Sequence, residues 1–166
     1  IAALNGNTVG GGLEIAMAAD LRIARKGGGK VGLPEVNLGV LPGTGGTQRL
    51  VRIVGKSRAI EMMTTGRLFS LEEAKDTGIV DQIMDAADGA TFLKQVQEYA
   101  AQFCPPNKAS KAVGLIKRSV QSGAEIPFES GLAMEREFQA QLFSSSDAKE
   151  GLGAYVEKRK AEFKGE

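Results

Sequence analysis

Histidine is absent from the 166 residues, and no other omission removes as much chemistry. Ser-His-Asp and Cys-His catalysis are excluded, as are His-ligated zinc and the HExxH metalloprotease arrangement. Cysteine occurs once, as Cys104, which rules out an internal disulfide and a cysteine-rich zinc site. No bound metal is expected. A strong charge of either sign is also missing. The net formal charge is +1, so bulk electrostatics give no reason to expect a nucleic-acid partner. No apolar run approaches the ~20 residues of a membrane helix, and the opening IAALNG lacks the basic segment of a secretory leader. The expectation is a soluble, reducing, cytoplasmic setting with neither membrane nor nucleic acid as partner.

What is present reads as an α/β portion followed by helices alone. Residues 1–5 form a candidate strand, 11–19 a short helix, and 20–25 a second strand with Leu21 and Ile23 on one face. KGGGK at 26–30 reads as a turn or flexible loop, and Val31–Leu33 as a short strand before Pro34, which biases Leu33 toward extended geometry. Helices are predicted from about Thr47 to Val54, over KSRAIEMMTT, and after Ser70, where Ser70 and Glu73 stand in capping-box spacing. IVDQIM reads as a strand. From about residue 88 only helical patterns remain, with Phe92, Val96, Tyr99 and Phe103 marking the first and Leu152, Tyr155, Val156 and Phe163 assigned to the last. These stripes read as core packing. The division predicted is 1–87 and 88–166. A buried-type strand at the first residue also predicts that sheet neighbours lie upstream, in a larger domain.

Two familiar motifs fail on spacing. VGKS at 54–57 would need glycine at position 50, which is Leu50. GTGG at 43–46 has half of a dinucleotide fingerprint without its spacing or its later acid. Asp81, Asp85 and Asp88 lack calcium-loop spacing and read as solvated surface. Two stretches remain, GGGLE at 10–14 and GLPEVNLGVLPGTGGTQRL at 32–50. Taken singly, Glu14 could lie on an exposed helix face and Glu35 could be a helix-start carboxylate after Pro34. Together, two carboxylates beside glycine-bared N–H groups make a plausible acid–base pair, which histidine-free proton transfer requires.

AALNGNTVGGGLEIAMAADLRIA, GLPEVNLGVLPGTGGTQRLVRIVGKSRAIEMMTTGRLFSLEEAKDTGIVD and the ending KEGLGAYVEKRKAEF resemble the crotonase superfamily, specifically its enoyl-CoA hydratases. The resemblance covers essentially the whole chain and corresponds to about the last two thirds of such a protein. It implies a crotonase-like ββα spiral, here without its N-terminal part, followed by a helical trimerisation region. It further implies that the Gly11 N–H is half of an oxyanion hole, that Glu14 activates water for Cβ, and that Glu35 exchanges the proton at Cα. No cofactor is implied, coenzyme A being part of the substrate. A homotrimer or homohexamer is implied as the assembly. Lys158 and Lys160, with Phe163 as an apolar surface for adenine, are the candidate coenzyme A contacts. The second oxyanion N–H of the family belongs to its upstream segment, so the chain alone is expected to be nearly inactive. ARKGGGKVGLPE is also longer and richer in glycine than the usual link. The alternatives are a Δ3,Δ2-enoyl-CoA isomerase, which can manage with a carboxylate at the Glu35 position, another lyase or hydrolase of the fold, and a non-catalytic binding protein.

Overall fold

The computed structural model describes residues 1–166, which divide into two compact units, Ile1–Val96 and Gln97–Glu166. In the first unit, strands β1 (Ala2–Leu4), β3 (Arg22–Arg25) and β5 (Gln82–Met84) form a parallel sheet in the order β1-β3-β5. Ala3 pairs with Ile23, and Ile23 with Gln82. The central strand is buried along nearly its whole length, at Arg22, Ile23 and Ala24. It is therefore covered on both faces, rather than on the single face that alternation at Leu21 and Ile23 suggests.

A second parallel pair joins β2 (Thr8–Val9) to β4 (Val31–Gly32); β4 falls within the short strand expected over Val31–Leu33, whereas β2 has no counterpart in the sequence reading. Two residues carry too little periodicity to reveal β2, and β4 is legible only through the proline that follows it. Their pairing also settles the 26–30 loop. Thr8 N–H donates to the Lys30 carbonyl at 2.9 Å, Gly28 N–H to that of Arg25 at 2.8 Å, and Lys30 N–H to Asn7 Oδ1 at 2.8 Å. The segment expected to be flexible is fastened at three points.

Four helices pack around these strands: α1 (Gly11–Met17), α2 (Gly46–Val54), α3 (Lys56–Thr65) and α4 (Leu71–Asp76). Alone, a helix as short as α1 is unstable in water. Burial of Leu13, Ala16 and Met17 against the core holds it. The capping box forms as the spacing requires, with Glu73 N–H donating to Ser70 Oγ and Ser70 N–H to Glu73 Oε2. Asp81 and Asp88 are not merely solvated. Asp81 pairs with the buried Arg22 at 3.0 Å, and Asp88 Oδ1 accepts the Thr91 N–H at the start of α5 (Gly89–Ala101). That N–H, with the Thr91 side chain and the Ala90 N–H, holds the Asp88 carboxyl below its ordinary range.

The second unit contains α6 (Ser110–Gly123), α7 (Phe128–Phe143) and α8 (Ser146–Glu157). Its apolar stripes are only partly packed within the chain. Phe138 is buried, yet Ile116, Val120, Phe143, Leu152, Tyr155 and Val156 are exposed. The core-packing expectation therefore fails for Leu152, Tyr155 and Val156, because so few helices cannot cover each other's outer stripes. Helix α8 ends at Glu157, with Lys158 in the left-handed conformation at φ 55°. Phe163 consequently lies beyond the helix to which the sequence pattern assigns it. No helix of the chain is long and apolar enough to cross a membrane.

Candidate active site

The chain enters α1 through Gly10, at φ 60° and ψ −132°, a backbone conformation that L side chains rarely adopt. Gly10 N–H donates to the Gly32 carbonyl at 2.9 Å, tying the turn to β4. Its own carbonyl accepts from Leu13 at 2.9 Å and Glu14 at 3.1 Å. Intrahelical bonding thus begins at Leu13, and Gly11 and Gly12 ahead of it are exposed, with no atom within 4 Å of where a Cβ would stand. The Gly11 N–H is one of the early donors that a helix leaves without an internal partner.

Glu14 lies one turn further on and is 3 % exposed, so the exposed-face reading is incorrect. Its Oε1 accepts two backbone N–H groups, from Thr44 and from Gly46, each at 2.7 Å. Both belong to the GTGG segment that leads into α2. A carboxylate buried at this depth requires such donors, since desolvation without them is expensive. Both bonds fall on Oε1, which leaves the lone pairs of Oε2 outside this cradle. Gly46 is glycine because there is no room: a Cβ would stand 2.6 Å from Pro42 Cβ and 2.8 Å from Glu14 Oε1.

Glu35 opens a short 3-10 helix, Glu35–Leu38, directly after Pro34. Its carboxylate comes over the α1 entrance, with Oε1 3.2 Å from the position a Gly10 Cβ would take. Its Oε2 is buried and has no hydrogen-bond partner in the protein. Buried polar atoms are nearly always paired, and an orphan of this kind requires a functional explanation. Two glutamates from separate elements therefore stand beside the start of α1, Glu35 at Gly10 and Glu14 one turn on, with its carboxylate against the 44–46 loop. One is fixed by the backbone, and the other keeps an oxygen in reserve.

Sequence reasoning missed Thr44 and Gly46: GTGG stays within the 32–50 stretch, but only Glu35 is singled out there. The available clue was the glycine pair at a helix entrance, where neither residue supplies a side-chain cap.

The remaining candidates lie in the second unit. Lys158 and Lys160 are exposed and Phe163 is half-buried, its ring 3.3 Å from where a Gly151 Cβ would stand. The tail that carries them is firmly docked onto α8. Buried Asp147 accepts the N–H groups of Lys164 at 2.8 Å and Gly165 at 2.7 Å. Arg159 forms a two-pronged pair with Glu150, which also accepts the Glu162 N–H at 3.0 Å. The Arg159 guanidinium, helped by that N–H, draws the Glu150 carboxyl down to about 2.

The sequence matches the enoyl-CoA hydratase/isomerase family over residues 1–166. It is 42 % identical over 165 residues to "Enoyl-CoA isomerase/hydratase fer4" of Mycosarcoma maydis, covering 99 % of this chain and 58 % of that protein. It is 42 % identical over 166 residues to a probable enoyl-CoA hydratase of Bacillus subtilis, covering 100 % and 62 %. The fold superimposes on the crystal structure of "Enoyl-CoA hydrates" from Geobacillus kaustophilus with a TM-score of 0.91 at 47 % identity, over 98 % of this chain and 60 % of that one. The chain thus spans about three fifths of the length of the proteins it matches.

Proposed function

The chain belongs to the enoyl-CoA hydratase/isomerase family, and on that premise we propose that its two glutamates hydrate a 2-enoyl-CoA thioester. The supporting observation is a pair of carboxylates beside the start of α1: Glu35 reaches Gly10 with Oε2 left without a partner, and Glu14, one turn into the helix, is held by two N–H groups. Glu14 takes a proton from water as the water oxygen bonds to Cβ. The π electrons move toward Cα, and negative charge grows on the thioester oxygen. The Gly11 N–H donates to that oxygen, an interaction stronger in the enolate-like transition state than in the ground state. Glu35 then delivers a proton to Cα on the same face, giving the 3-hydroxyacyl thioester. Exchange with solvent restores both carboxyl groups.

Coenzyme A is the handle of the substrate in this reading, with Lys158 and Lys160 meeting its phosphates. Their exposure supports this, whereas Phe163 is already partly engaged on Gly151. A trimer or a dimer of trimers is the assembly proposed, supported by the exposed apolar side chains of α6 and α8.

Glutamine variants of the full-length protein test the division of labour. Glu14→Gln and Glu35→Gln should each lower kcat for crotonyl-CoA hydration by roughly 10² to 10⁴, followed as loss of the enoyl-thioester absorbance. Glu14→Gln should spare part of the isomerisation of a 3-enoyl-CoA, which needs proton transfer between carbons alone. Intact hydration in Glu14→Gln, with all activity lost in Glu35→Gln, would identify a one-base isomerase instead.

A further inference from the structure

Arg49, on the first turn of α2, serves neither the core nor the two-carboxylate site directly. Its Nη1 donates to the Thr44 carbonyl at 2.9 Å, and its backbone N–H donates to the Gly45 carbonyl at 2.9 Å. A Cβ on Gly45 would collide with the same guanidinium, so the side chain lies flat on the loop.

These bonds interleave with those that hold Glu14. Three successive peptide groups are involved, 43–44, 44–45 and 45–46. The N–H groups of the first and third point to Glu14 Oε1, while Arg49 holds the carbonyls of the second and third. Fixing the middle carbonyl fixes the rotation of its peptide plane, and that rotation sets the angle between the two flanking N–H groups. We propose that Arg49 is a positioning residue for Glu14: it locks the Thr44–Gly45 peptide so that both donors stay aimed at Oε1. The catalytic half of this inference rests on the hydration reading of Glu14. The structural half does not.

The cradle matters because it fixes which oxygen of Glu14 is left for chemistry. A loop free to turn would let the carboxylate rotate, and small misplacements of a catalytic group cost up to about 10² in rate. A single charge-assisted bond to a carbonyl is something a lysine can imitate, which supplies the conservative control.

The test compares Arg49→Met, which keeps the stem without a donor, with Arg49→Lys, both in the full-length protein. In Arg49→Met, amide exchange at Thr44 and Gly46 should quicken at least about tenfold, with exchange at the buried Leu50 and Ala59 unchanged. Hydration kcat should fall about tenfold to a hundredfold with KM nearly constant, and Arg49→Lys should recover most of it. Unchanged exchange at Thr44 and Gly46 overturns the proposal whatever the activity. So does a loss of kcat accompanied by equal loss of protection at Leu50 and Ala59, since that is general destabilisation. Faster exchange with undiminished kcat in Arg49→Met refutes the catalytic half. Absence of hydration in the parent protein refutes the hydration reading alone, and the exchange result still decides the role of Arg49 in the loop.

Discussion

Gly46 stands where backbone, proline and carboxylate meet, and one added methyl group probes all three. In Gly46→Ala the new Cβ would press on Pro42 Cβ and Glu14 Oε1, both within 2.8 Å. Overpacking of this kind costs about 1–3 kcal/mol, because neither the proline nor the gripped carboxylate can swing aside. The variant should unfold at lower urea concentration and lose hydration activity through kcat. An unshifted midpoint with normal kcat would mean that the loop yields without consequence. Lys158 and Lys160 call for a different measurement. Replacing both with alanine should raise KM for acyl-CoA and leave kcat alone, the mark of binding that does not change between ground and transition states. A fall in kcat at constant KM would remove them from the coenzyme A site.

Among elements, β3 depends most on a single side chain. Arg22 is 7 % exposed, and its guanidinium reaches the Ile79 carbonyl at 2.7 Å, the Ala19 carbonyl at 2.9 Å and Asp81 Oδ2 at 3.0 Å. Asp81 also accepts the Arg22 backbone N–H at 2.7 Å, so this one pair staples β3 to the start of β5. Removing one member of a buried pair leaves the other charge without compensation. Asp81→Ala should therefore destabilise by about 2–4 kcal/mol, somewhat less than for a fully enclosed pair, because the Asp81 side chain keeps 30 % of its exposure. Chemical denaturation measures this directly, and a loss below about 0.5 kcal/mol, typical of surface pairs, would show the carbonyl contacts sufficient. The capping box of α4 is a smaller device. Ser70→Ala should cost about 1 kcal/mol.

For the whole molecule, pH and association are the informative variables. The Glu150 carboxyl, lowered from 4.5 to about 2 by Arg159, joins α8 to the tail. A depressed pKa favours the docked tail at pH above the ordinary value, and the advantage is lost as pH falls from 4.5 toward 2. The carboxyl carbon resonance of Glu150 should accordingly titrate with a midpoint near 2, moving back toward 4.5 in Arg159→Gln. A midpoint already ordinary in the parent protein would contradict the pair. The proposed association rests on the exposed residues Ile116, Val120, Leu152, Tyr155 and Val156. Unpartnered apolar stripes of this kind mark association surfaces, and the full-length protein should elute with the mass of a trimer or hexamer at micromolar concentration. A strictly monomeric mass would refute the proposed assembly.

Some of this was settled by the order of residues alone. The lack of histidine and of paired cysteines excluded whole classes of chemistry. Pro34, Gly55 and the Ser70–Glu73 spacing placed element boundaries, because caps and breakers act within a few residues of themselves. Glu14 and Glu35 could be singled out by their glycine and proline neighbours. Tertiary structure decided what each of them meets. Burial of Glu14 by the GTGG segment, the approach of Glu35 to Gly10, and the pairing of β2 with β4 all join residues far apart in the chain. Nor could periodicity separate Phe92, which is buried, from Tyr155, which is 83 % exposed. A pattern along one element shows which of its faces is apolar, and only the packed chain determines what lies opposite that face.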